Sequence, residues 1–482
     1  MTSTEPVFEF PLDLDAVAAT GRTRALHEAL RAAILDRRLR AGSELPSTRR
    51  VANAYGIARN TVIAAYDLLV AEGYVVTRAG AKAVVAEIAT RSAARAPRLA
   101  DGRLHARWQA PSWSSAVSTD DAWTPNFRLG VPDHREVPFD VWRRLLTRAF
   151  HPRHGAAFGY QPPHGRPRLR EAIAGHVSFA RAVACRAEDV VVTSGARQAF
   201  DLLARLLVVP GRTTVAVEDP GYPTAGAAMA AAGADVVPVP VDEEGLRVDA
   251  LPREARIVYV TPSHQYPTGV AMSMARRLAL LDFARERDAL IIEDDYDGEF
   301  RYGARPLDAL QTLDRDGRVV YVGTFSKSLF PSLRMGYVVA PEWLRDALAA
   351  AKERADTCGN AQVQDALADF ILEGHLARHV RRMRRVYAGR RAALCEMLAG
   401  PLSRWFDAIP SEAGIHVAAR FIDAEAADVL LPRVREHAMG AMPLRALSRR
   451  EDALHGVAFG IGCVDESMIR ERLAVLAKAL RR

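Results

Sequence analysis

The sequence predicts an α/β protein in two parts, a small helical head and a large body built on a mostly parallel sheet. Three observations predict it. The 482 residues exceed the roughly 250–300 over which one core keeps growing, so more than one domain is required. Five short β-rich runs, DVVVTSG, TTVAVEDP, RIVYVTPS, ALIIEDD and RVVYVGTFSK, alternate with helical stretches, the rhythm of a parallel sheet covered by helices. Charge is concentrated upstream: residues 22–82 hold eleven Lys or Arg against five Asp or Glu, a net of +6 in a chain whose total is +7. A short segment that carries nearly the whole basic excess is a nucleic-acid footprint.

Composition narrows the class further. The chain is 49% hydrophobic, enough for a large core. Cys185, Cys358, Cys395 and Cys463 are far apart, with no paired spacing for zinc or redox work, and read as reduced core thiols; no metal is expected. The N-terminus is polar and acidic, and the apolar runs elsewhere are too short or too interrupted to cross a bilayer. A cytoplasmic protein with no membrane partner is the expectation.

The head is expected over residues 22–86. ALHEALRAAILDRRL places Leu26, Leu30, Ile34 and Leu35 in a helical stripe, and Arg40-Ala41-Gly42 stops it. Ser47 is the expected N-cap of a short helix carrying Val51 and Ala54. Gly56 makes the turn, and Arg59 to Ala71 form the next helix with Val62, Tyr66 and Leu69 inward. Two helices joined by a tight glycine turn are a helix-turn-helix, and GYVVTRAGAKAVV has the strand, turn, strand pattern of a wing. Arg59, Asn60 and Thr61 then stand at the helix end that meets base edges in a major groove. Arginine matches guanine and asparagine matches adenine in two-pronged fashion. Arg49 and Arg50 would lie beside phosphates. Residues 87–125, rich in Ala, Arg, Ser and Pro, have no sustained period and read as a linker; its five arginines (Arg91, Arg95, Arg98, Arg103, Arg107) either solubilise it or track phosphates.

The body is expected over residues 126–482, with its polar residues at the carboxyl ends of strands, where ligands bind in such sheets. Ser194-Gly195-Ala196 opens a helix whose free N–H groups suit a phosphate. Asp294 and Tyr296 follow one strand, Tyr222 another, and Lys327 a third. Each alone is unremarkable as a surface or capping residue. Together, a lysine, an aspartate, a phosphate-binding helix start, an aromatic slab and a second cation describe a pyridoxal 5'-phosphate (PLP) site. The lysine forms a Schiff base with the aldehyde, and the aspartate holds the ring nitrogen protonated. The aromatic stacks and the arginine pairs with phosphate.

Two family resemblances carry these readings further. LPSTRRVANAYGIARNTVIAAYDLLVAEGYVVTRAG resembles the winged helix-turn-helix of GntR-type bacterial regulators, which implies Arg49, Arg59 and Thr61 as DNA contacts and Gly80 at the wing tip. Ala58 stands where a serine is common, and Ala81-Lys82-Ala83 departs from the usual wing. EDPGYP, PSHQYPTG, EDDYDGEF and SKSLFPSLRMGY, in that order, resemble the motifs of fold-type I PLP-dependent aminotransferases. That resemblance implies Lys327 as the Schiff-base lysine, Asp294 as the ring-nitrogen partner and Tyr296 as donor to the ring hydroxyl. It also implies Tyr222 as the stacking ring, with Ser194, Gly195, Ala196, Thr324 and Arg334 at the phosphate. Two departures stand out: Tyr266 replaces the asparagine of Asn-Pro-x-Gly, and Gly456-Val457-Ala458-Phe459 lacks the arginine that clamps a substrate α-carboxylate.

A GntR-type head on an aminotransferase-like body is the architecture of the MocR family of regulators, which the whole chain resembles. The resemblance implies a homodimer on a double-stranded DNA operator, each head able to rest on the partner's body. It implies a regulator that senses a small amine effector, or PLP itself, with at most a residual transaminase half-reaction. The alternative is an active aminotransferase with an appended DNA-binding module. With the clamp gone, Arg445, Arg449 and Arg450 are candidate replacement cations for a non-α-amino compound.

Overall fold

A computed structural model of the chain describes residues 7–8, 21–36, 38–77, 82–86, 126–151, 158–303 and 308–481. The chain divides into two compact units, Met1–Leu104 and His105–Arg482. The 87–125 stretch, with its five arginines, lies outside the described residues, as does Gly80.

In the head, α1 (Arg22–Leu35), α2 (Thr48–Tyr55) and α3 (Arg59–Ala71) precede a two-stranded antiparallel ribbon of β1 (Val75–Val76) and β2 (Val84–Val85). The Ser47 side chain caps α2 by accepting from the Arg50 N–H at 3.3 Å, and Gly56 ends the helix in the left-handed region, φ 61°. Leu26, Leu30, Ile34, Val51, Val62, Leu69, Val75 and Val85 close one core, and the Tyr66 hydroxyl donates to Pro46 O at 2.9 Å. Two stripe expectations are corrected. Leu35, in the last turn of α1, is 45% exposed, and on α2 it is Ala52 that is buried while Ala54 faces solvent. A helix of two turns samples too few periods to separate positions i+1 and i+3 from sequence.

The body begins with α4 (Phe139–Ala149) and α5 (Pro167–Arg181), then β3 (Val190–Thr193), α6 (Ala196–Leu207), β4 (Thr214–Asp219), α7 (Pro223–Ala232), β5 (Asp235–Asp242) and β6 (Gly245–Leu246). It continues through β7 (Ala255–Val260), α8 (Met274–Glu286), β8 (Leu290–Asp295), β9 (Val319–Thr324) and β10 (Gly336–Val339). Among the described residues these strands form an eight-stranded sheet in the order β3-β10-β9-β8-β7-β4-β5-β6. The central β9-β8-β7-β4-β5 pairs are parallel; β10 runs antiparallel to both β9 and β3. Valines and isoleucines buried on both faces explain why these runs read as continuous rather than alternating.

A second, smaller layer follows α9 (Arg345–Asp356), α10 (Ala361–Leu372) and the 25-residue α11 (His375–Ala399). Strands β11 (Phe406–Ala408), β12 (His416–Phe421), β13 (Met442–Pro443) and β14 (Gly456–Gly460) make an antiparallel sheet flanked by α12 (Ala427–His437) and α13 (Glu466–Ala479). The four cysteines are unpaired and half-buried rather than in the core. No helix among the described residues is long and apolar enough to cross a membrane.

Candidate functional site

On the head, the first turn of α3 presents Arg59 and Asn60 to solvent with Thr61 half-buried, and Arg49 is exposed on α2. Arg59 Nε donates to Thr48 Oγ1 at 3.4 Å, tying the first turns of the two helices together. Ala58 caps α3 with no side-chain hydrogen bond. This edge is basic and polar, the chemistry that phosphates and base edges meet on a helix in a major groove.

On the body, the site is assembled by strand register. Gly336 at the start of β10 is paired with Thr193 at the end of β3 on one side and Thr324 at the end of β9 on the other. Antiparallel β10 therefore brings Ser194-Gly195, Thr324 and Arg334 to one corner. Arg334 Nη2 donates to Ser194 O at 2.5 Å, and Arg334 itself takes the left-handed conformation, φ 53°. Gly195, φ 80°, caps α6; a Cβ there would lie 3.0–3.2 Å from the Arg334 guanidinium, so the approach requires glycine. The helix runs from Ala196 to Leu207, so its first N–H groups face this corner. Helix N-terminus, guanidinium and the Thr324–Ser326 hydroxyl pair (3.0 Å apart) form a cradle suited to a phosphate.

Asp294, near the end of β8, is fully buried. Tyr259 on β7 donates its hydroxyl to Asp294 Oδ2 at 2.7 Å, because β7 and β8 pair with Tyr259 beside Ile292. The other oxygen, Oδ1, is buried with no hydrogen-bond partner among the described residues. Burial pushes the Asp294 carboxyl up to about 7. A buried acceptor without a donor is costly, and it fits a protonated ring nitrogen.

Lys327 leaves β9 on the next loop and is half-buried; Nζ donates to Gly130 O at 2.6 Å. Burial lowers its pKa, opposed by Asp297 and Asp294 and assisted by Arg197. Desolvation of this kind favours the neutral, nucleophilic form of the amine.

Tyr222 and Tyr296 flank Tyr266, with ring centroids 5.5 and 6.0 Å from it, both edge-on. Gln265 fastens the two aromatic loops together: its amide donates to Pro220 O at 2.8 Å and accepts from the Thr268 hydroxyl at 2.6 Å. Beneath them Glu218 accepts from Thr261 Oγ1 at 2.5 Å, and burial pushes its carboxyl up to about 7. Tyr259, Gln265, Glu218 and Ser326 were not singled out in the sequence. The motifs EDPGYP and PSHQYPTG contain or adjoin most of them and were the available signal.

The strand that would carry an α-carboxylate clamp cannot hold one here. Gly456 pairs with Arg420 in β12, and a Cβ at 456 would lie 2.3 Å from Ala419 O. Of the candidate replacements, Arg450 pairs with Asp452 (2.5 Å), and Arg445 Nη1 donates to Glu451 O at 3.4 Å. Arg449 is exposed, but its N–H donates to Asp219 Oδ2 at 2.7 Å, which fastens that stretch to the strand end preceding Tyr222.

Buried aspartate, phosphate cradle and strand-end lysine on this sheet define the class of PLP-type aminotransferase bodies, here carried behind a winged-helix head. Residues 126–440 match the aminotransferase class I and II family, and residues 22–85 match the bacterial regulatory proteins of the gntR family. The probable rhizopine catabolism regulatory protein MocR of Rhizobium meliloti is 38% identical over 477 residues, 97% of this chain and 95% of the relative. The pyridoxine biosynthesis transcriptional regulator PdxR of Corynebacterium glutamicum is 32% identical over 475 residues, 98% of this chain and 99% of the relative. Among solved structures, the kynurenine aminotransferase of Pyrococcus horikoshii, in complex with PMP, superimposes with a TM-score of 0.68 at 29% identity, covering 74% of this chain and 92% of that one. The chain belongs to the MocR family of GntR-type regulators. It is a DNA-binding transcriptional regulator built on a fold whose family is PLP-dependent.

Proposed function

We propose that this regulator binds PLP at the body site and uses it to report either a small amine or PLP supply to the DNA-binding head. One observation carries the cofactor reading: Asp294 is buried with one oxygen tied to Tyr259 and the other without a partner, facing the need for a ring N–H donor. Lys327 would hold the cofactor, with Tyr222 and Tyr296 against the ring, and Ser194, Gly195, Ala196, Thr324 and Arg334 at the phosphate. When bound, PLP supplies an aldehyde that condenses with primary amines. The chain's own residues position that aldehyde, exclude water and hold the ring protonated.

The test is direct. The purified protein should absorb in the near-ultraviolet to violet range, and borohydride should fix the cofactor to the peptide containing Lys327. A protein that stays colourless in excess PLP, or is labelled elsewhere, overturns the assignment.

The effector class follows from Gly456. Burying an α-carboxylate with no cation opposite it is costly, so the amine is a non-α-amino compound such as an ω-amino acid or aminosulfonate whose anion another cation holds, or PLP alone is the signal. Titrating amines against both the absorption band and operator affinity separates these. Tight binding and repeated turnover of ordinary α-amino acids would sink the effector reading. In the head, Arg59, Asn60 and Thr61 would read bases while Arg49 would hold a phosphate. A homodimer is supported by Phe158 and Tyr160, 69% and 90% exposed, which a second copy would cover. Sedimentation at micromolar concentration checks it.

A further inference from the structure

The cluster around Tyr296 has no role in the reading so far. His264 Nδ1 lies 3.0 and 3.1 Å from the two carboxylate oxygens of Asp297 and 2.9 Å from the Tyr296 hydroxyl. All three residues are more than nine-tenths buried. A carboxylate only accepts, so the proton sits on Nδ1 and points between Asp297 and Tyr296. The Tyr296 oxygen then accepts from the imidazole, which leaves its own proton to donate forward.

The imidazole is fixed tightly. His416 on β12 packs at a ring-centroid distance of 4.6 Å and shares its Nε2 with Pro267 O at 3.0 Å, as donor. Burial pushes His416 down to about 3, so it is a neutral wall. Gly414 and Gly269 close the other sides: a Cβ on Gly414 would lie 1.8 Å from the His264 ring, and one on Gly269 3.2 Å from its Nε2. Asp297 is held in turn by the Ile415 N–H at 3.3 Å. His264, Asp297 and His416 have the side-chain types of a metal site, yet Nδ1, the carboxylate and the His416 Nε2 are already engaged with one another, Tyr296 and Pro267.

We propose that His264, oriented by Asp297, is a positioning residue that makes Tyr296 the donor to the cofactor's ring oxygen, taking the part of the amide that Tyr266 replaces. The inference rests on the PLP reading above, with Tyr296 facing the ring oxygen. A hydroxyl whose oxygen already accepts a hydrogen bond is a stronger donor. A stronger donor stabilises the anionic ring oxygen and lowers the basicity of the nitrogen that joins lysine to cofactor. The other ionisable groups facing Tyr296 are Tyr266, Asp294 and Glu218, none of which is hydrogen-bonded to its hydroxyl.

The experiment is a pH titration of the visible band of the cofactor-loaded, full-length protein, with borohydride labelling at Lys327 to confirm loading. Tyr296→Phe should raise the midpoint by about one pH unit or more, the scale of one hydrogen bond to a charged group. His264→Leu should raise it by a similar amount, and the double variant should shift no further than Tyr296→Phe alone. His264→Asn, whose side-chain amide reaches the place of Nδ1, should restore most of the wild-type midpoint; should the leucine variant misfold, Asp297→Asn, which removes the carboxylate that holds the proton on Nδ1, takes its place and should raise the midpoint as well. An unchanged midpoint in folded His264→Leu, or in Asp297→Asn where the leucine variant misfolds, with Tyr296→Phe shifted, overturns the role of His264 and leaves Tyr296 in place. Additive shifts likewise overturn it, because His264 would then act apart from Tyr296. An unchanged midpoint in loaded Tyr296→Phe overturns the ring-oxygen assignment itself.

Discussion

Head and body place their functional residues in opposite environments. On the head, Arg49, Arg59 and Asn60 are exposed cations and amides on two adjacent helices. In the body, Asp294 and Tyr296 at the end of β8 and Thr324 at the end of β9 are buried, Lys327, Tyr222 and Ser194 are half-buried, and Arg334 alone among the charged residues at the phosphate corner is exposed. A surface contact has nothing to lose on folding, whereas a buried carboxylate destabilises the body until a partner arrives. Changes to the head should therefore alter binding without altering stability, and changes to the body should alter both.

The largest effect that sharpens this contrast is expected from Lys327→Ala, which should abolish the borohydride-fixed adduct completely while leaving cofactor-free DNA affinity within twofold. Gel-shift titration without added PLP checks the second half; a collapse of DNA binding there would break the separation between regions.

Next is the pH dependence of Asp294→Asn. The wild-type carboxyl titrates at about 7 in the folded body against an ordinary 3.8, so the native state keeps a proton that the unfolded chain has lost. Wild-type stability therefore falls as pH rises from about 4 to about 7, by at most about 4 kcal/mol. The asparagine variant, without cofactor, should gain on wild type across that window and level off above it; saturating PLP should reverse the gain. Melting temperatures at pH 5, 7 and 8 decide, and a flat difference would refute the buried-acid account.

Arg59→Ala should cost about 1–3 kcal/mol of discrimination between operator and random DNA, with PLP content and melting temperature unchanged. Equal loss on both DNAs would make Arg59 a phosphate contact only. The smallest change is Ala58→Ser, which supplies the missing cap of α3 and should stabilise the head by about 1 kcal/mol. The body's unfolding transition should not move.

What could be read from sequence follows the same division. The α3 bounds, the Ser47 cap and the Gly56 turn were legible because each depends on neighbours within a few residues. Strand ends bearing Lys327, Asp294, Tyr222 and Ser194 were legible because β-branched runs stop visibly there. Tyr259 was not: its hydroxyl meets Asp294, 35 residues away, only through the register of β7 and β8. His264 and His416 lie further apart still, on different layers, and no local pattern links them. Gly456 was suspected by alignment, but that its backbone is too crowded for any side chain emerges only from its pairing with Arg420.

The bond from Lys327 Nζ to Gly130 O has a consequence for how chemistry reaches the chain. Gly130 lies four residues beyond Asn126, where the described body begins after the stretch that leads from the head. An amine nitrogen has three hydrogens when charged, and fewer once it is joined to an aldehyde. The carbonyl of Gly130 therefore competes with any aldehyde for the same nitrogen. Were an aldehyde to take Lys327, the Gly130 carbonyl would lose that donor, and faster hydrogen exchange at residues 127–131 would report it.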